Sequence, residues 1–256
     1  MASPGPKGLA ASAETTLYGS ISTGMRPAGI YSTTTANPPT LTNLAAISTW
    51  KPSAGVYANG NYYLLSVLQM GSMVRASKLE KYDVNTWIAI NSVDPGTNIP
   101  TSLAFNPKDG KTYGCYPTAT NDFELGVLDL DKGTTTTVGA LDQRYVALFA
   151  DNGGKVYGIG VDGNLCQLNL ETAAATVVGA TGVTPSMDVQ DACFDESTNT
   201  VYWFAHTAYE CSLYTVDLTT GAATKVTDFP SYKIRWAGVF AKPAKPVEKP
   251  AFIAKM

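Results

Sequence analysis

Five short apolar segments recur along the chain at an almost constant interval, and this period restricts the fold more than any other feature. They are Val56-Tyr57-Ala58-Asn59-Gly60, Leu103-Ala104-Phe105-Asn106-Pro107, Leu148-Phe149-Ala150-Asp151-Asn152, Ala192-Cys193-Phe194-Asp195-Glu196 and Gly238-Val239-Phe240. Their aromatic residues stand at 57, 105, 149, 194 and 240, separated by 48, 44, 45 and 46 residues. A self-similarity of this length marks a chain built from stacked supersecondary units, each unable to bury its apolar face alone.

The content of one period identifies the unit. Each aromatic leads into turn residues that tolerate positive φ, such as Gly60-Asn61, Asp109-Gly110, Asn152-Gly153-Gly154 and Ser197-Thr198-Asn199. A second apolar run follows: Tyr62 to Leu65, Thr112 to Tyr116, Val156 to Ile159 and Val201 to Phe204, with Leu17 to Ser20 as an earlier copy. A third run is partly alternating (Leu79 to Asp83, Gly126 to Leu130, Leu165 to Leu170, Leu213 to Leu218). A Thr/Val-rich fourth run closes the period. Four strands in about 45 residues describe a β-propeller blade.

Counting blades gives five. Residues 16–48 supply only the second to fourth strands of the first blade, and Ile234 to Phe240 supply its first strand. The ring is therefore expected to close by pairing the two ends of the chain, which leaves no long free edge. The other blades fall near 53–94, 100–142, 145–180 and 187–228. The expected organisation is a flexible segment over 1–15, an all-β five-bladed propeller over 16–241, and a Pro/Lys-rich linker or tail over 242–256. Two stacked β-sandwiches are the competing architecture, but sandwiches have no reason to keep a 46-residue register.

The segment Leu213-Tyr214-Thr215-Val216-Asp217-Leu218-Thr219-Thr220-Gly221 resembles the Leu-Tyr-x-Val-Asp-x-x-Thr-Gly hairpin of secreted bacterial β-propeller repeat proteins. Val127 to Gly133 and Leu168 to Thr172 are degenerate copies. The resemblance spans about 16–240 and implies architecture without an agreed activity. The Pro/Lys tail is similar to linkers that join such domains to further β-modules, so additional domains of the same polypeptide are expected partners. An extracellular or cell-surface location is expected, although residues 1–7 contain no apolar signal-peptide core.

Charge and composition exclude several classes. The net charge is −3; the tail from Lys242 carries four Lys against Glu248, a balance of +3, so residues 1–241 carry −6. An acidic body lacks the clustered cations that nucleic acid requires. No apolar run approaches the roughly 18 residues of a membrane-spanning helix, so no membrane insertion is expected. Four cysteines (115, 166, 193 and 211) lack metal or redox spacing and are expected to be free, buried thiols.

Several motifs have plain structural readings. Gly158-Ile159-Gly160-Val161-Asp162-Gly163 matches the dinucleotide fingerprint, but a strand rather than a helix follows, so no cofactor is implied. Asp129 to Gly133 resembles the start of a calcium loop but lacks the later acidic ligands, and it reads as a hairpin turn. His206, the sole histidine, permits a Ser–His pair but no multi-histidine metal site. It is expected as a hydrogen-bonded residue at a blade rim. Asp94, Asp142, Asp188 and Asp191 lie near first-strand entrances and are expected to be solvated loop acids.

One surface constellation remains. Loops leading into first strands and loops joining second to third strands should gather at one end of the ring. They carry aromatic residues beside Arg, Gln and Asp, which suits stacking with oriented hydrogen bonds to a sugar or peptide. Candidate ligand-binding residues are Trp50, Arg144, Tyr145, Asp188, Tyr232, Arg235 and Trp236. Trp50, Tyr145, Tyr232 and Trp236 could equally plug the channel or pack between blades. The leading function is a non-enzymatic recognition domain for a glycan or protein. The alternatives are a carbohydrate-active hydrolase or lyase using Asp142, Asp188 and Asp191, and a structural spacer in a multidomain surface protein.

Overall fold

Runs of Val, Tyr, Ile, Leu and Thr separated by Asx- and Gly-containing turns dictate strands and tight hairpins, and every regular element found is a strand. The computed structural model describes residues 14–22, 28–47, 50–70, 73–231 and 233–242. The segment 1–13, the tail 243–256, Met25, Arg26 and Tyr232 lie outside these residues.

Twenty strands form five antiparallel four-stranded sheets. The first blade contains β1 (Thr16–Ser22), β2 (Gly29–Thr34) and β3 (Thr42–Ala46), with β20 (Arg235–Ala241) as its inner strand. The second runs through β4 (Lys51–Ala58), β5 (Asn61–Met70), β6 (Met73–Asp83) and β7 (Ala89–Val93). The third comprises β8 (Leu103–Asn106), β9 (Lys111–Pro117), β10 (Phe123–Leu128) and β11 (Thr135–Leu141). The fourth comprises β12 (Tyr145–Ala150), β13 (Val156–Gly160), β14 (Asn164–Leu168) and β15 (Ala175–Ala180). The fifth comprises β16 (Asp191–Asp195), β17 (Thr200–His206), β18 (Cys211–Val216) and β19 (Ala223–Asp228). The inner strands touch in the cyclic order β20, β4, β8, β12, β16 and back to β20, which defines a five-bladed β-propeller.

Ring closure follows the expected rule: Leu17 pairs with Ala241 and Tyr18 with Phe240. Five apolar clusters fill the gaps between neighbouring blades. The cluster joining the last blade to the first packs Leu17, Ile21 and Tyr31 against Phe204, Leu213 and Trp236. Closure thus rests on side-chain burial as well as on one strand ladder. The four cysteines are free and buried.

A repeated turn explains the hairpin motif. Between third and fourth strands, Asp83, Asp129, Asn169 and Asp217 each accept the backbone N–H groups two and three residues on. The residue four positions on adopts positive φ: Trp87, Gly133, Ala173 and Gly221. Asp129 is therefore a turn residue, as the sequence suggests. The Gly158–Gly163 segment is likewise a hairpin, with Gly163 at φ +81 and Asp162 accepting the Asn164 N–H.

Candidate functional site

The inner strands all run from one face of the ring, where Arg235, Lys51 and Asp191 begin them, to the opposite face, where Ala58, Ala150 and Ala241 end them. The loops entering inner strands and the loops between second and third strands gather on the entry face. There, the loop before β10 and the loop before β12 enclose a groove of about 440 Å³ between the third and fourth blades. Phe123, Asp122, Asp142, Gln143, Arg144 and Met187 line it. The Met187 side chain is 68% exposed although it is large and apolar.

Hydrogen bonds fix the walls of this groove. Thr118 N–H donates to Asp122 O and Thr120 Oγ1 to Asp122 Oδ2 at 2.8 Å, so the first loop is held by its own polar groups. Gln143 Oε1 accepts the Asp162 N–H at 3.3 Å, and Asp142 Oδ1 accepts the Tyr145 hydroxyl at 2.9 Å. Arg144 Nη2 donates to Met187 O at 2.8 Å, linking the fourth blade to the fifth. Its Nε is buried without a hydrogen-bond partner, and the guanidinium makes no ion pair among the described residues. Desolvation lowers the Arg144 pKa, with the Cys115 and Asp188 charges opposing that shift.

Next to Met187 lies a polar knot. Asp188 Oδ2 receives Arg235 Nη2 at 2.9 Å and lies 3.5 Å from His206 Nδ1. The Arg235 hydrogen bond is the largest influence holding the Asp188 carboxyl below its ordinary range. Ser186 Oγ also meets His206 Nδ1, at 2.8 Å, and accepts the Asp188 N–H at 3.2 Å. Gln190 ties the knot to the core by donating to Ser186 O and accepting Trp203 Nε1. In a nucleophilic triad the serine and the carboxylate meet opposite nitrogens of the imidazole. Here both meet Nδ1, so the arrangement cross-braces two loops and does not relay a proton to a serine nucleophile.

Three of the seven residues singled out from the sequence are brought together: Arg144, Asp188 and Arg235. Trp50 is half-buried on the second blade, with Lys78 Nζ 5.0 Å from its ring centroid. Tyr145 and Trp236 are fully buried, at 0% exposure, and present no ring face to the surface. Tyr145 belongs to the apolar cluster between the third and fourth blades, while Trp236 packs on Phe204 and Phe229. Their packing role is the one in which a ring is worth more inside than at the rim. Tyr232 lies outside the described residues.

The solvated-acid expectation holds for Asp142, which is exposed, but Asp191 departs from it. Asp191 is only 2% exposed and sits inside the ring, where it accepts Ser102 Oγ at 2.6 Å, Ala192 N at 3.0 Å and Gly238 N at 2.7 Å. Ser102 Oγ in turn accepts the Leu148 N–H at 2.8 Å. Groups from the first, third and fifth blades thus meet at one carboxylate, and the fourth blade joins them through Ser102. Burial pushes it up to about 7 against those hydrogen bonds. A carboxylate enclosed in this way cannot touch a polysaccharide on the surface, which removes one of the three candidate acids.

Phe123, Asp122, Gln143 and Met187 lie on the two classes of loop that the sequence places on this face, but none of them stands among its candidate ligand-binding residues. The missing signal was inter-blade adjacency: Met187 enters the next blade, yet its carbonyl holds Arg144. Pairing each entry loop with its neighbour one period later would have exposed the contact.

No protein-family model matches the chain, and no curated protein matches it either. Several solved structures resemble it. A chain of a nidogen/laminin complex aligns over 89% of this chain and 97% of its own length, at 9% identity and TM-score 0.55. A protein of unknown function from Bacteroides thetaiotaomicron aligns over 83% at 14% identity and TM-score 0.49. This chain spans 50% of that one's length. TolB from Acinetobacter baumannii aligns over 90% of this chain and 67% of its own, at 10% identity and TM-score 0.48. At these identities the likeness concerns architecture alone.

Proposed function

We propose that the protein is a non-enzymatic recognition domain that binds a glycan or protein ligand through the groove between its third and fourth blades. The observation that carries this reading is Arg144: a half-buried guanidinium on a groove wall, with no carboxylate partner among the described residues. Such a group is costly to bury unless a ligand acceptor meets it. Phe123 and Met187 supply apolar contact area, and Asp122 and Asp142 supply acceptors for ligand hydroxyl or amino groups. The blades hold this surface rigid while the loops carry its chemistry. An extracellular or cell-surface setting, with further domains on the same polypeptide, fits a module of this kind.

The test is binding of the purified chain to broad glycan and peptide arrays, with reducing-sugar release followed on every hit. Retention without turnover is the expected result. Turnover that disappears on changing Asp142 or Asp188 would replace this reading with a carbohydrate-active enzyme.

A further inference from the structure

The exit face of the ring carries a second concavity, whose lining shares no residue with the groove. At this end the five repeated aromatics return as a physical ring. Tyr57, Phe105, Phe149, Phe194 and Phe240 all line the axial cavity. Tyr57 and Phe105 continue into a wider mouth of about 130 Å³. Tyr57 and Phe240 stack at 4.7 Å with an interplanar angle of 8°, and Tyr57, Phe105 and Phe194 remain partly exposed. Ala58, which follows Tyr57, is too small to cover its ring, whereas Phe149 and Phe240 are buried in inter-blade clusters.

One carboxylate stands at the rim of the mouth. It is that of Glu196, which is exposed and makes no ion pair among the described residues. Its charge is felt by the Tyr57 hydroxyl, whose pKa is raised by burial first and by Glu196 second. Among the described residues, no lysine or arginine lines the mouth. Aromatic faces attract cations through the ring quadrupole, and the effect strengthens where water is excluded. An unpaired carboxylate at the edge adds an attraction of the same sign. A purely apolar ligand would gain nothing from that carboxylate, and an anion would be repelled by it.

We propose that this mouth is a binding site for a small organic cation, whose ammonium or trimethylammonium head sits against Tyr57 and Phe105 while Glu196 meets its charge. The proposal is independent of the groove on the opposite face. Choline and its neutral isostere 3,3-dimethyl-1-butanol share shape and differ in charge, so they separate cation recognition from apolar filling. Titrating both into the full chain by ligand-observed NMR should show choline binding roughly tenfold more tightly than the isostere. Glu196→Gln should weaken choline several-fold and leave the isostere unchanged, while Tyr57→Leu should erase the preference. Arg144→Ala should alter neither, and the circular-dichroism melt of each variant establishes that it folds. A trimethyllysine peptide titrated alongside distinguishes a side-chain ligand from a free small molecule by which of the two binds more tightly. Equal binding of choline and isostere, unchanged choline binding in Glu196→Gln, or no binding of any probe would overturn the proposal.

Discussion

Asp191 is the residue on which the ring converges. Its carboxyl is pushed up to about 7 by burial, while in the unfolded chain it titrates near 4. Between those values the folded state holds a proton that the unfolded state has released. Stability from this group is therefore fully present below about pH 4 and declines as pH rises through about 7. Three pKa units correspond to roughly 4 kcal/mol. Asp191→Asn has no proton to lose, so the contribution of this site to the fall in urea midpoint between pH 5 and pH 8 should vanish. An unchanged slope in the variant would place the pH dependence elsewhere. The buried thiols make a second residue-scale prediction: Cys115, Cys166, Cys193 and Cys211 should resist alkylation in the folded protein and all label after unfolding without reductant. Fewer than four labels on the unfolded chain would reveal a disulfide.

At the scale of elements, the turn between third and fourth strands does more than reverse the chain. Gly221 has φ +80, and a Cβ there would lie 2.5 Å from Gly179 O, on the preceding blade. Gly179 is similarly close-packed against Thr220, and Gly139 against Thr172. The turns of the fourth and fifth blades dock onto a glycine in the outer strand of the blade before them, and the Gly133 turn packs on Asp94 and Pro95 of the second blade. Gly221→Ala should therefore cost about 2–4 kcal/mol, combining left-handed strain with an inter-blade clash. Gly60 has the same φ but open space around it, so Gly60→Ala should cost only about 1 kcal/mol. Chemical denaturation of the two variants compares them directly, and equal losses would deny the docking role. The strand runs and the Asx turns were legible in the sequence because period and turn chemistry are local properties. The Val138-Gly139-Ala140 and Val178-Gly179-Ala180 repeats were equally visible, but their purpose depends on a neighbour about 40 residues away.

For the whole molecule, the period specified the number of blades and the strand that closes the ring, since five copies of the inner run were present with one displaced to the C-terminal end. The site was less legible. Tyr145 and Trp236 read either as ligand-binding rings or as packing between blades, and they take the second role: they stand at the first and second positions of their strands with side chains in inter-blade gaps. Asp191 read as a loop acid because sequence shows neither the bulge that frees Gly238 N–H nor the serine arriving from a blade two steps away. Closure itself is testable. Ending the chain at residue 233 removes β20, with it the Trp236 ring that packs on Phe204 and Phe229, and the Gly238 donor to Asp191. That truncation should abolish the cooperative unfolding transition seen by circular dichroism, because every blade depends on both neighbours. A transition retained at the original midpoint would show that the ring does not need its closing strand.

The groove supplies the most direct test of what the molecule does. For the tightest ligand found on the arrays, affinities would be measured calorimetrically for the natural protein, Arg144→Ala and Arg144→Lys, each with its denaturation midpoint. A charged hydrogen bond to the ligand is worth about 1.5–3 kcal/mol, so Arg144→Ala should lose roughly ten- to hundredfold in affinity with its fold intact. Arg144→Lys should recover part of that loss, since charge returns without the planar fork. Affinity unchanged in a folded Arg144→Ala variant would contradict recognition through this groove.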